Sequence, residues 1–201
     1  MILGITGGTG CGKTTLLKEI EAAGGLVFDC DAIYHRLLKK DPRLLQKIAD
    51  AFPGTVKDGF LDRKKLGNIV FKDPQALETL NGMTHSAVKS EVAELLKGAP
   101  ALAAIDAIAL FESGLAELCD ITVAVAAPTE QRVQRLMNRD CISEEYARSR
   151  ISAQHGESWF TERCDYCLQN NGSPEDFRRK CLAFLYTADI MKEKRKGDMI
   201  K

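Results

Sequence analysis

The residues Gly7-Gly-Thr-Gly-Cys-Gly12-Lys13-Thr14 fit G-x-x-x-x-G-K-[ST] at each fixed position, a spacing made for phosphate chemistry. The glycines let the backbone turn tightly, so successive N–H groups point inward at phosphate oxygens. A helix starting here adds the positive end of its dipole. Lys13 reaches the β- and γ-phosphates, and the Thr14 hydroxyl ligates magnesium. Two acids, Asp29 and Asp31, stand close together further along, and Asp106 ends another apolar run. Late in the chain come Arg132, Arg135, Arg139, Arg148 and Arg150. An acid that accepts a hydroxyl proton and arginines that close over a triphosphate are the parts phosphoryl transfer needs.

Strands and helices alternate to position these groups. Apolar runs at 2–6, Leu26–Phe28, Ala101–Ile105, Asp120–Val125 and about 166–169 predict strands. Helical periodicity covers 14–23, 31–40, 43–52, 63–71, 74–80, 84–97, 129–139, 143–155 and 174–193, with Ser173-Pro174 as N-cap and first helical residue. Pro42, Pro53-Gly54, Gly59, Pro74 and Gly82 punctuate the span 31–97, where no strand-like run occurs. The fold class that follows is α/β: a P-loop NTPase three-layer fold with a parallel sheet, a helical substrate-binding insertion and a helical lid. Of Asp29 and Asp31, which stand either side of Cys30 where the second strand ends, one is expected to face the phosphates. Asp31, which opens the next helix, is favoured, with a plain N-cap as its other reading. Asp106 either orders magnesium through water or is an ordinary strand-terminal carboxylate.

Composition narrows the partners. The chain has 201 residues, with 28 Lys+Arg against 28 Asp+Glu, and this neutrality argues against a generic nucleic-acid binder. No apolar run is long enough for a membrane helix, and no obligate protein partner is evident. Seven scattered cysteines read as reduced thiols and a cytoplasmic setting. Cys164-Asp-Tyr-Cys167 lacks a second ligand pair for zinc. Cys11 is either a small filler or a thiolate favoured by the helix N-terminus. A GTPase would need Asn-Lys-x-Asp, which is absent, and an ABC- or RecA-type ATPase an Asp-Glu strand end, whereas Ala107 follows Asp106.

The chain resembles the dephospho-CoA kinase family. The resemblance spans nearly its whole length and rests on an ordered series of segments. These are Ile5-Thr-Gly-Gly-Thr-Gly-Cys-Gly-Lys-Thr14, Phe28-Asp-Cys-Asp31, Gly59-Phe-Leu-Asp-Arg63 with Ile69-Val-Phe71, and Leu110-Phe-Glu112. Arg135-Leu-Met-Asn-Arg139-Asp, Arg150-Ile-Ser-Ala-Gln154 and Asn170-Asn-Gly172 complete it. It implies transfer of phosphate from ATP, with Mg2+, to the ribose 3′-hydroxyl of dephospho-CoA. Within a single domain it implies a nucleotide-binding core (1–30, 98–128 and 164–201), a CoA-binding insertion (31–97) and a lid (129–160). Asp31 then matches the catalytic base, and Gly8 and Gly10 to Thr15 (Cys11, Gly12, Lys13 and Thr14 between) match the ATP-binding stretch. Arg139, with Arg135 nearby, matches the lid arginine, and Asn171 and Gly172 approach the adenine. Asp62, Arg63 and Glu112 lie in acceptor-side motifs. His85 is either an acceptor contact or a helix-cap histidine. Where the family has His-Pro and Pro-Leu-Leu-Phe-Glu, this chain has His85-Ser86 and Ile108-Ala-Leu-Phe-Glu112. The rival readings are a nucleoside or nucleoside-monophosphate kinase and a non-catalytic nucleotide switch. The lid arginines argue against a switch.

Overall fold

Five parallel strands form the centre of the fold, which a computed structural model describes for residues 1–187. In chain order the elements begin with β1 (Ile2–Thr6), α1 (Lys13–Ala22), β2 (Leu26–Asp29), α2 (Cys30–Lys40) and α3 (Pro42–Ala51). Then come β3 (Val56–Lys57), β4 (Phe60–Leu61), α4 (Arg63–Val70), α5 (Pro74–Leu96) and β5 (Ala103–Asp106). After a 3-10 turn over Leu115–Leu118 follow β6 (Ile121–Ala126), α6 (Thr129–Asp140), α7 (Glu144–Ser152), α8 (Glu157–Thr161), β7 (Tyr166–Gln169) and α9 (Pro174–Thr187). The end of the helix expected over 174–193 lies outside the described residues.

The sheet order is β2-β5-β1-β6-β7, so successive strands leave β1 on both sides. In open parallel sheets the crevice made by such a reversal, at the carboxyl ends of the strands, is where ligands bind. Strand side chains alternate between two cores. Leu3, Ile5 and Ala104 face α1 and α9 and meet Leu16, Ile20 and Phe177. Ala103, Ile105 and Phe28 face the other way and pack with Ile33, Val88 and Val92 of the inserted helices. No helix among the described residues is long and apolar enough to cross a membrane.

Capping fixes the ends that matter. The Ser173 hydroxyl accepts the Asp176 N–H at 3.1 Å while the Asp176 carboxylate accepts the Ser173 N–H at 3.3 Å. This reciprocal box starts α9 where the serine-proline pair predicts it. Phe177, 2% exposed, then anchors α9 against the sheet. Phe177→Ala is expected to cost about 3–5 kcal/mol by leaving a cavity. Urea unfolding would read it as a lower midpoint at unchanged slope.

Three features of the insertion and lid differ from the sequence expectation. Val56–Lys57 and Phe60–Leu61 form an antiparallel hairpin inside the span read as strandless. Its turn, Asp58-Gly59, has φ of 51° and 79°, the two left-handed residues a type I′ turn demands. Helices expected at 74–80 and 84–97 are one helix, α5. Gly82 costs only about 1 kcal/mol there and does not end a helix whose buried stripe of Leu80, Thr84, Val88 and Val92 continues through it. The expected helix 143–155 stops at Ser152, and Gly156 caps the separate short α8.

Candidate active site

The loop between β1 and α1 takes its shape from glycine. Gly12 caps α1 at φ 103°, and a Cβ there would meet the Asn170 side-chain nitrogen at 2.2 Å. At Gly8 the intruder would be the Arg132 guanidinium, 2.3 Å away. A Cβ at either position would push Asn170 or Arg132 out of its place. Arg132, 6% exposed, donates from Nε to the Thr9 carbonyl at 2.9 Å and braces the loop from behind. Arg135 donates to the Gly10 and Cys11 carbonyls, each at 3.3 Å, and to Asn170 Oδ1 at 3.1 Å. Buried Asn170 returns a bond from Nδ2 to the Cys11 carbonyl at 2.8 Å. These donors hold the Thr9, Gly10 and Cys11 carbonyls and so fix the path of the loop along the cleft.

That cleft encloses about 720 Å3. Its floor is the loop from Gly8 to Thr14, one wall is Asp31, Asp106 and Ile108, and the other is made by Arg135 and Arg139 of α6, Arg150 of α7 and Gln154 just after it. Lys13 Nζ donates to the Gly7 carbonyl at 3.1 Å and lies 3.9 Å from Asp106 Oδ1. The structure separates the two neighbouring aspartates. Asp29 is the N-cap of α2, its carboxylate accepting the Ala32 N–H at 2.9 Å. Asp31, in the first turn, faces the cleft. Helix formation at Cys30 replaces strand alternation with helical spacing, which frees Asp31 from the capping role.

Asp106 pairs in register with Asp29 on β2 and with Ile5 on β1. Burial pushes its carboxyl pKa up, the Lys13 charge opposes this, and Asp29 and Asp31 add to the rise. Its Oδ1 is buried without a hydrogen-bond partner. An unsatisfied carboxylate oxygen and the hydroxyl of exposed Thr14, both lining this cleft, are the hard oxygen donors that magnesium takes alongside phosphates. No cluster of three His, Cys, Asp or Glu able to hold a metal occurs among the described residues. The donor set therefore fits an ion shared with a nucleotide rather than a fully caged one.

A second cavity of about 200 Å3 adjoins the first and shares Asp31 and Ile108 with it. Tyr34, Asn81, Thr84, His85 and Ser113 line it. His85 sits in the interior of α5, so it points into a cavity and is not a helix cap. The other sequence-selected residues lie elsewhere. Asp62 caps α4, accepting the Lys65 N–H at 2.9 Å. Arg63 is near Tyr34, whose hydroxyl pKa burial raises and that arginine lowers. Glu112 Oε1 is 3.2 Å from His155 Nε2, and the His155 ring stacks on Trp159 at 4.1 Å. Thr15 donates its N–H to the Gly12 carbonyl at 3.0 Å. Asn171 accepts from Lys180 at 3.0 Å and Gly172 lies against Asp176; neither lines the cleft. Cys11 is buried and its thiol pKa is pushed up by burial, so it is a protonated filler, not a thiolate. All seven cysteines are free thiols.

Four contributors, Arg132, Arg150, Gln154 and Asn170, stand within the arginine group or the quoted segments, yet sequence reasoning gave none of them a role of its own. Gln154 Oε1 accepts the Thr9 N–H at 2.8 Å, tying the segment after α7 to the loop. Asn170 follows directly on β7, at the same end of the sheet as the loop. That position was the available signal, since strand carboxyl ends collect ligand-facing groups.

The model of the dephospho-CoA kinase family matches residues 1–176. The dephospho-CoA kinase of Anaeromyxobacter dehalogenans is 37% identical over 180 residues, covering 87% of this chain and 85% of that one. Its counterpart in Thermus thermophilus is 36% identical over 186 residues, covering 92% and 90%. A crystal structure of a Thermus thermophilus protein superposes with a TM-score of 0.77 at 35% identity, covering 93% of this chain and 97% of that one. The dephospho-CoA kinase of Campylobacter jejuni gives 0.66 at 28% identity, covering 96% and 98%. A shikimate kinase of Acinetobacter baumannii, at 18% identity and TM-score 0.51 with 93% of each chain covered, shares the fold.

Proposed function

This chain belongs to the dephospho-CoA kinase family, and on that premise we propose how its own residues carry out the family's reaction. The reaction is ATP-dependent phosphorylation of the ribose 3′-hydroxyl of dephospho-CoA, giving CoA and ADP in the last step of coenzyme A synthesis. The observation that carries the residue assignment is that Asp31 lines both cavities. A carboxylate at that boundary can accept from a hydroxyl held on one side and aim its oxygen at a phosphate held on the other.

Phosphoryl transfer asks a protein mainly for positioning and charge neutralisation. The loop amides and Lys13 hold the β- and γ-phosphates. Asp31 orients the ribose hydroxyl and accepts its proton as the oxygen attacks. Arg139, with Arg135 nearby, offsets charge on the transferring group as the lid excludes water. Thr14 directly, and Asp106 through water, are the residues that would hold magnesium, whose charge would neutralise the phosphates. The insertion 31–97 presents the acceptor, with His85 in the smaller cavity and Asp62, Arg63 and Glu112 supporting its surroundings. The segment 129–160 acts as the lid, and Asn171 and Gly172 support the adenine side. The free thiols fit a reducing, cytoplasmic setting.

A panel of alcohol acceptors with γ-labelled ATP tests this reading. Label is expected to pass to dephospho-CoA at a rate at least tenfold above that to any nucleoside or nucleoside monophosphate. Preferred transfer to one of those would reassign the acceptor cavity. Slow hydrolysis stimulated by no alcohol would make the protein a nucleotide switch.

A further inference from the structure

Asp140 ends α6, where the helix dipole disfavours a negative charge. A carboxylate that breaks a local rule needs a compensating contact, and here it has two. Arg139 grips it with a two-pronged fork, Nε to Oδ1 at 2.7 Å and Nη2 to Oδ2 at 2.9 Å. Arg150 reaches back from α7 and donates Nη1 to Oδ2 at 2.6 Å. These arginines, Arg139 first, hold the Asp140 carboxyl well below the usual carboxylate range.

The lid is folded to make this meeting. Cys141, immediately after Asp140, is left-handed at φ 53°, an uncommon conformation for a residue with a side chain. The reversal brings α7 against α6 through Val133, Leu136 and Ala147. Arg150 is thereby carried to the end of α6. Both arginines line the cleft while bound to Asp140, so the carboxylate holds them in its wall and does not draw them away. Arg139 Nη1 and Arg150 Nε and Nη2 make no hydrogen bond among the described residues, and remain as donors for an anion.

We propose that Asp140 is a positioning residue for phosphoryl transfer, locking Arg139 and Arg150 into one rigid cationic edge of the nucleotide cleft. This rests on the kinase reading above. A guanidinium already fixed by its other edge need not be reorganised as charge develops on the transferring group. Two arginines sharing one carboxylate also leave a single net positive charge.

The test is kinetics of Asp140→Asn and Asp140→Glu with ATP and dephospho-CoA, repeated in an Arg139→Ala/Arg150→Ala background. Asp140→Asn should lower kcat about tenfold, less than the hundredfold or more typical of losing a transition-state donor outright. KM for ATP should stay within about twofold, because no phosphate ligand is removed and the cleft gains positive charge. Asp140→Glu should recover part of the loss. In the background without both arginines, Asp140→Asn should cost nothing further, as required of a residue that acts through them. An unchanged or raised kcat, or an equal loss with and without the arginines, overturns the inference while leaving the kinase reading intact. Absence of any transfer by the unaltered chain removes both together.

Discussion

Asp31→Asn is expected to bind ATP as the unaltered chain does and to lose turnover by roughly two or more orders of magnitude, the scale of losing a general base. The substitution keeps the shape of the side chain and removes its charge and its capacity to take a proton. The fold should survive, because the cap of α2 is the Asp29 carboxylate and Asp31 contributes no capping bond. The loop, Lys13 and the lid arginines stay in place, so ground-state affinity for the triphosphate persists. Equilibrium binding of a non-hydrolysable ATP analogue, set beside kcat at saturating dephospho-CoA, separates the two quantities. Near-normal turnover would move the base elsewhere, and the cleft offers Asp106 as the next carboxylate.

Lys13→Ala should behave differently, losing nucleotide affinity and rate together. Its ammonium serves the bound phosphates and the transition state alike, so KM for ATP rises while kcat falls, each by roughly tenfold or more. A second consequence comes from the 3.9 Å separation between Lys13 Nζ and Asp106 Oδ1. The lysine charge is what opposes the upward push of burial on the Asp106 carboxyl. Without it that pKa rises further, and the carboxylate is protonated at a higher pH than before. The acidic limb of the residual activity should therefore shift upward in pH relative to the unaltered chain. A variant with unchanged rate and unchanged pH profile would take the phosphate loop out of the mechanism.

How far such expectations could be read before the fold was known differs from residue to residue. The phosphate loop is contiguous, and its chemistry follows from backbone conformations that glycine alone allows, so eight neighbouring letters specify it. The parallel sheet is similarly legible, because apolar runs between helical stretches leave few other architectures. The hairpin at Val56–Leu61 is equally local: Gly59 punctuates the span, and with Asp58 it forms the left-handed turn that pairs the two short strands. Gly82 misled in the opposite direction: burial of one continuous stripe on α5 outweighs a small backbone cost.

The choice between Asp29 and Asp31 marks the boundary. Residues two apart in an extended strand share a face, so alternation does not separate Asp29 from Asp31; only the residue at which the helix begins decides which one caps and which one points at the cleft. Beyond that boundary lie contacts between distant parts of the chain. Asn170 meets Cys11, Gln154 meets Thr9 and Arg132 fills the space left by Gly8, and each pair is separated by more than a hundred positions. The sequence by itself determined that a polyphosphate would be gripped at the head of α1, because that depends on local dihedral freedom and on donors adjacent in the chain. The tertiary structure alone decided which arginines, amides and carboxylates surround the grip. Their meeting is fixed by how helices pack and where strands end, and no local pattern encodes those long-range distances.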